Sequence, residues 1–133
     1  MFGAPAEAGA ERHKWWQSDQ VKTEVGLTDQ QSKEIEEIFQ AVRPRLKAGW
    51  EELNRLEQEV SHLMTEGESD EQRISAAVDR VEAARAALNK TRTLMLFRIY
   101  RILSPEQRVK LKAIHERRDR ERRQEHESGA RPR

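Results

Sequence analysis

The strongest constraint in this sequence is a row of apolar positions that repeats at alternating steps of four and three residues. The row consists of Ile35, Phe39, Val42, Leu46, Gly49, Leu53, Leu56, Val60 and Leu63. Such steps keep the side chains on one face of an α-helix, and a row of this length approaches the seam of a coiled coil. The pattern predicts a helix of roughly 50 Å that buries this stripe against another helix.

The start of this helix, and a proline within it, can also be read from the sequence. Thr28 is followed three residues later by Gln31, which is the spacing of a capping box, and Leu27 occupies the position of a hydrophobic staple. Pro44 lies inside the stripe, where proline removes a backbone hydrogen bond and crowds the preceding turn. We therefore expect a bend near residues 40 to 44.

A second apolar row follows a turn at residues 65–70 and predicts an antiparallel partner for the first helix. Gly67 suits the end of the first helix, and Ser69 or Asp70 can cap the second. The second row consists of Ile74, either Ala77 or Val78, Val81, Ala84, Leu88, Thr91, Met95 and Ile102. The predicted fold is all-α, a long kinked antiparallel helical hairpin with a short helix at its N-terminal end and another at its C-terminal end.

Composition supports long helices and excludes several other classes of protein. Charged residues make up 37% and hydrophobic residues 35% of the 133 residues, a balance found in coiled coils or in disordered chains. The two periodic rows decide in favour of helices. The chain has no cysteine, so disulfides and thiolate metal sites are excluded. No apolar run reaches the roughly 18 residues of a membrane span, so we expect no membrane insertion.

The formal net charge of +1 conceals two oppositely charged regions. Residues 51–88 contain ten acids and four bases, whereas residues 92–123 contain eleven bases and four acids. A chain with this asymmetry can associate with a second copy in antiparallel fashion or present a basic face to acidic partners.

The chain divides into one helical domain with flexible ends. Residues 1–14, which are rich in small side chains, are interpreted as a flexible leader, residues 15–124 as the domain and residues 125–133 as a disordered basic tail. Within the domain, Ser18 can cap a short first helix that ends at Gly26. The leader lacks a basic segment followed by an apolar one, so it is not an intact signal peptide, and this pattern fits a mature exported chain as well as a cytosolic one.

The signal that starts the long helix occurs a second time, near residue 104. The motif residues are Leu27, Thr28 and Gln31 in the first copy and Leu103, Ser104 and Gln107 in the second. Two Leu-Thr/Ser-x-x-Gln motifs, each opening a helix and separated by a long helical hairpin, resemble the Spy/CpxP family of periplasmic proteins. The resemblance covers about residues 15 to 118, and Ser104 replaces the commoner threonine while keeping its capping chemistry.

The resemblance implies a cradle-like antiparallel homodimer in the periplasm. It also implies an ATP-independent holdase-type chaperone that binds unfolded client proteins on a basic and apolar surface. The alternative is a regulator: either a CpxP-like protein that damps the sensor kinase of an envelope-stress system, or a metal-responsive sensor like ZraP and CnrX. No cofactor is expected for the chaperone.

The second half of the second long helix is the candidate client surface, because it is apolar on nearly every side and carries several arginines. The candidate residues are Arg92, Leu94, Met95, Phe97, Arg98, Ile99 and Arg101. Arginine attracts acidic partners at long range, and methionine adapts to many partners. The alternative is that the apolar members build the core of the monomer and the dimer seam.

Two other groups of residues have both a functional and a structural interpretation. Trp15 and Trp16 can anchor a client or partner, or one of them can pin the leader onto the hairpin. His62 has Glu59 and Glu66 on its own helix face, which are metal-ligating side chains, but a solvated histidine is the favoured interpretation and no metal site is predicted.

Nucleic-acid binding and catalysis find no support in the sequence. Acids and bases alternate over residues 117–127, so this segment can neutralise itself along a helix, and no aromatic residue is interleaved for base stacking. The chain has neither a glycine-rich phosphate loop nor a nucleophile elbow nor a zinc-protease motif. We therefore expect a binding protein rather than an enzyme.

Overall fold

The computed structural model describes residues 14–130 and is all-α, as predicted. A 3₁₀ turn at Trp15–Gln17 precedes four helices, α1 (Asp19–Val25), α2 (Asp29–Thr65), α3 (Glu71–Ile102) and α4 (Pro105–Ala130). The predicted leader before Lys14 and the last three residues of the predicted tail lie outside the described residues. Within residues 14–130, no helix has the length and apolar character needed to cross a membrane.

Helices α2 and α3 form the predicted antiparallel hairpin. Near one end, Gln31 Nε2 of α2 donates a hydrogen bond to the carbonyl oxygen of Ile102 in α3, at 3.1 Å. Farther along, the guanidinium of Arg80 in α3 lies 2.9 Å from the carboxylate of Glu59 in α2. Residues with higher numbers in α2 contact residues with lower numbers in α3, so the two helices run in opposite directions.

Helix α2 begins at the predicted capping box and continues through Pro44. The backbone N–H of Gln31 donates to Thr28 Oγ1, and the backbone N–H of Thr28 donates to Gln31 Oε1, each at 3.0 Å. These two bonds satisfy donors that the first turn of a helix leaves free. Pro44 lies inside one continuous helix, so the bend near residues 40 to 44 stays a prediction.

The two apolar rows build the core of the hairpin. Its buried members are Ile35, Phe39, Val42, Leu46, Leu53, Leu56, Ala77, Val81, Leu88, Met95 and Ile99. At Gly49, an added Cβ would lie 3.1 Å from Cδ1 of Leu88. The glycine therefore leaves room for a leucine of the opposite helix.

Helix α4 corrects the prediction for the C-terminal end. A short helix and a disordered tail from residue 125 were expected, but α4 runs for 26 residues to Ala130. Arginine, glutamate and glutamine favour helix, and oppositely charged residues three or four apart stabilise it. Arg122 and Asp119 form one such pair. The alternating charges over residues 117–127 were expected to be compatible with a helix, but a helix shorter than the 26 residues of α4 was expected.

Helix α1 closes the end of the hairpin by packing on α4. Ser18 caps it by accepting a hydrogen bond from the backbone N–H of Val21, at 3.4 Å, and Gly26 ends it in the left-handed conformation at φ +74°. Both features match the sequence prediction. An ion pair of 3.1 Å between Glu24 of α1 and Arg117 of α4 joins the two helices. The closed end thus contains α1, α4, the ends of α2 and α3, and the 3₁₀ turn.

Candidate functional site

The second half of α3 carries positive charge without compensating acids. Between Glu82 and Glu106 the chain contains five bases and no acidic residue. The bases are Arg85, Lys90, Arg92, Arg98 and Arg101. Because exposed charges act over about 10 Å at moderate ionic strength, this stretch attracts acidic surfaces before contact is made.

The same stretch exposes large apolar side chains to solvent. Phe97 is 58% exposed and Leu94 is 46% exposed, and Leu96 and Tyr100 are also exposed. Exposed aromatic and aliphatic side chains so close together are unusual on a soluble surface and are typical of interaction sites. We call Leu94, Leu96, Phe97, Arg98, Tyr100 and Arg101 the α3 face.

Two residues predicted to contact clients lie in the core instead. Met95 is 8% exposed and Ile99 is fully buried, so neither contributes to the α3 face. Met95 lies seven residues after Leu88, which is itself seven after Val81, and all three point toward α2 as parts of one buried row. This heptad spacing was available in the sequence and indicated burial of Met95, but it did not indicate burial of Ile99. The prediction for Met95 and Ile99 is therefore wrong.

The remaining predicted client residues are exposed and combine charge with aromatic area. Arg92, Arg98 and Arg101 are all exposed. The guanidinium carbon of Arg101 lies 5.9 Å from the centre of the Phe97 ring, within the range of a cation–π contact. Partial burial raises the pKa of the Tyr100 hydroxyl, so that group stays a neutral hydrogen-bond donor and acceptor at neutral pH.

A shallow groove of about 410 Å³ borders the α3 face on the α2 side. It is lined by Glu34, Glu37, Ile38, Ala41, Arg98 and Ile102. Arg98 belongs to both surfaces, so a chain bound to the α3 face can extend into the groove. The two glutamates give the groove an acidic edge, which contrasts with the arginines of the face.

The two capping boxes meet in space and form a clasp that sequence reasoning missed. Gln31 Nε2 donates to Gln107 Oε1 at 2.8 Å, and Gln107 Nε2 donates to Gln31 Oε1 at 2.9 Å. Each glutamine also completes its own box: Gln107 Oε1 accepts from the backbone N–H of Ser104 at 2.9 Å. The second box is therefore confirmed, and the pair of amides joins the starts of α2 and α4.

The amide groups of the clasp also bind backbone carbonyls. Gln31 Nε2 donates to the Ile102 oxygen, and Gln107 Nε2 donates to the Gly26 oxygen at 2.8 Å. The clasp therefore fixes the C-terminal end of α3, next to the α3 face. Both boxes have glutamine at the N3 position of the helix, and this shared residue is the sequence signal that could have indicated the pairing. Only a side chain with both donor and acceptor groups can make all these bonds.

The candidate metal ligands remain on the surface of α2. His62 Nε2 lies 3.3 Å from a carboxylate oxygen of Glu66, and both side chains are about two-thirds exposed. Glu59 instead pairs with Arg80 of α3. Within residues 14–130, no group of three histidine, aspartate or glutamate side chains is placed to hold one metal ion.

Comparison with known proteins identifies a family for most of the chain. Residues 1–110 match a family described as heavy-metal resistance. No curated protein matches the chain, and no solved structure does. Since the match spans well over half of the sequence, this chain belongs to the heavy-metal resistance family, which is grouped with the Spy/CpxP-like helical proteins.

Proposed function

We propose that this protein is an ATP-independent holdase-type chaperone whose α3 face binds unfolded or aggregation-prone polypeptides. The observation that carries the proposal is the solvent exposure of Phe97 and Leu94 beside arginines in a stretch without acids. Family membership adds support, since the family is grouped with the Spy/CpxP-like helical proteins, and the resemblance to that group implies a chaperone. The proposal involves no catalysis and no cofactor.

Binding on this face proceeds in two stages. The bases of α3 first attract acidic segments of a client, which raises the rate of encounter. Leu94, Phe97 and Tyr100 then contact apolar side chains that the unfolded client exposes. Because the face is small and open to solvent, the contacts are weak and reversible, and the client can continue to fold while it is bound.

The protein acts, in this proposal, as a homodimer in the periplasm. The charge asymmetry between the two ends of the hairpin favours antiparallel pairing of two copies, in which unlike charges face each other. Sedimentation equilibrium at low and high salt tests this arrangement. We expect a dimer that weakens as salt rises, and a monomer at all salt concentrations would refute it.

The chaperone activity is tested by light scattering of an aggregating client without ATP. We expect suppression of aggregation near one dimer per client, and a marked loss of suppression in Phe97→Ser combined with Leu94→Ser. Val109→Ser is the matched control, because Val109 is 70% exposed on α4, outside the α3 face. Absence of suppression by the unmodified protein at several-fold excess would exclude the proposal.

A second candidate function is metal-responsive regulation of an envelope-stress system, including inhibition of a sensor kinase. The observation that favours it is the family description, heavy-metal resistance. His62 and Glu66 are the residues to test first, because they already approach each other on α2. Calorimetry with zinc, nickel and cobalt distinguishes the two functions: sub-micromolar binding that His62→Ala abolishes favours the sensor.

A further inference from the structure

The segment formed by residues 14–17, which we call the aromatic strap, is not used by the proposed function. It contains the Trp15–Gln17 turn and crosses from α1 onto α2. Trp15 is 6% exposed and Trp16 is 3% exposed. One tryptophan was expected to pin the leader, whereas the structure buries both of them.

Polar groups of α2 hold the strap as they would hold a bound peptide. Glu36 accepts hydrogen bonds from Trp16 Nε1 at 2.6 Å and from Lys14 Nζ at 2.9 Å. Ser32 Oγ donates to the backbone carbonyl oxygen of Trp16 at 2.7 Å. A carboxylate thus binds two side chains of the strap, and a hydroxyl binds its backbone.

Aromatic contacts complete this cleft. The rings of Trp16 and Phe39 have centres 5.5 Å apart, and Lys14 Nζ lies 4.9 Å from the centre of Phe39. On the other side, the ring of Trp15 meets His115 of α4 edge-to-face at 6.2 Å. The contacts of the strap thus combine a cation with aromatic rings.

Helix α1 has contacts to α4 and to the clasp as well as to the strap. The ion pair between Glu24 and Arg117 holds α1 on α4, and Gln107 Nε2 binds the carbonyl oxygen of Gly26 at the end of α1. These two contacts do not involve the strap, so they persist when the strap leaves the cleft.

We propose that the cleft between α2 and α4 is a second polypeptide-binding site, selective for segments in which a lysine or arginine precedes aromatic residues. The aromatic strap is its built-in occupant and competes with such segments. The site is distinct from the α3 face and opposite in charge, because its anchor is the carboxylate of Glu36. This second site is not part of the proposed chaperone function and does not depend on it.

The test empties the cleft in the full-length chain and refills it with a peptide. The variant carries Trp15→Ala and Trp16→Ala, and the probe is a fluorescent, blocked pentapeptide with the sequence of residues 14–18. We expect saturable binding to the variant at least tenfold tighter than to the unmodified protein, together with a rise in the Tm of the variant. The same peptide with alanine in place of both tryptophans is the control and should not bind.

Two further measurements make the test decisive. Glu36→Gln, added to the double variant, should weaken peptide binding at least tenfold, whereas Val109→Ser, on the exposed surface of α4, should leave it unchanged. Binding to a folded double variant that is no tighter than to the unmodified protein overturns the proposal. If the double variant does not fold, Trp16→Ala alone is titrated; failure of that variant to fold or to bind the peptide also overturns it, since the strap would then be ordinary core.

Discussion

The two ends of the hairpin differ in charge, in packing and in what they leave exposed. At the tip, near Gly67, the structure contains only α2 and α3 among the described residues. Exposed ion pairs such as Glu59–Arg80 and Glu68–Arg73 lie on the surface there. At the opposite end, α1, α4, the aromatic strap and the glutamine clasp surround the same two helices. The α3 face lies on this second, crowded end.

A two-helix rod can keep an apolar surface exposed when other elements stabilise the same end of the rod. At the tip each helix has one stripe to bury, and even there Leu63 and Ile74 are only half-buried. At the clasped end α3 is apolar on several sides. The clasp, the strap and α4 stabilise this end from elsewhere, so Phe97 is free to remain exposed. The buried side of α3 and the exposed α3 face are thus different sides of one helix.

The largest effect we expect is a difference between two core leucines. Leu111→Ala, at the clasped end, and Leu53→Ala, toward the tip, remove the same atoms from buried sites. Leu→Ala costs about 2–5 kcal/mol in protein cores, with more lost where neighbours cannot relax into the cavity. We expect Leu111→Ala near the top of this range and Leu53→Ala near the bottom, measured by urea unfolding. Equal losses would contradict the view that the two ends are packed differently.

The clasp gives the next largest effect. Gln31→Ala leaves partly buried carbonyl and amide groups without partners, which costs about 1–3 kcal/mol. Gln107→Ala should cost a similar amount, and a double-mutant cycle should give a coupling of about 0.5–3 kcal/mol. Gln30→Ala is the control, because its side chain only pairs with Glu34 on the surface. Additive losses from the two clasp substitutions would show that the amides act separately.

A smaller effect concerns pH at the aromatic strap. Burial raises the pKa of Glu36, but hydrogen bonds from Gln40, Lys14 and Trp16 outweigh it, so this pKa lies below its ordinary value. A lowered pKa means that the carboxylate contributes stability above the unfolded-state pKa of about 4.5, and that this contribution is lost as pH falls through the lowered value.

Tryptophan fluorescence during urea unfolding measures this pH dependence. We expect the unmodified protein to lose stability on acidification more steeply than Glu36→Gln, since the amide does not titrate. The unfolding curves of the two proteins should converge at low pH. Identical pH dependence in both proteins would show that Glu36 does not anchor the strap through its charge.

The smallest effect is expected at the tip. Arg80→Ala removes the exposed ion pair with Glu59, and such pairs contribute about 0.2–1 kcal/mol. The loss should shrink in high salt, where exposed charges are screened. Urea unfolding at low and high salt checks this expectation. A loss as large as that of Gln31→Ala would mean that the tip is held more firmly than its packing indicates.

Much of the fold could be predicted because it depends on local and periodic signals. The rows containing Phe39 and Leu88, and the boxes at Thr28 and Ser104, each follow from spacing within a single helix. The length of α4 was missed because its helicity comes from charge pairs rather than an apolar stripe. Periodicity describes burial well and exposed helices poorly.

The candidate site could be predicted only in part, because its exposed and buried residues are decided by tertiary packing. Exposure of Phe97 and burial of Ile99 depend on which side of α3 meets α2, and a segment that is apolar all round does not reveal this. The pairing of Gln31 with Gln107 joins residues 76 positions apart, so it is visible only after the hairpin has formed. The burial of Trp15 against α4 likewise needs the tertiary structure.

Site-specific photo-crosslinking tests the central claim most directly. A photoreactive phenylalanine analogue replaces either Phe97, on the α3 face, or Val109, which is the more exposed of the two but lies on α4. Each protein is illuminated with an unfolded acidic client. We expect strong crosslinks from position 97, reduced by high salt, and only background from position 109. Equal crosslinking from both positions, or none from position 97, would contradict the assignment of client binding to the α3 face.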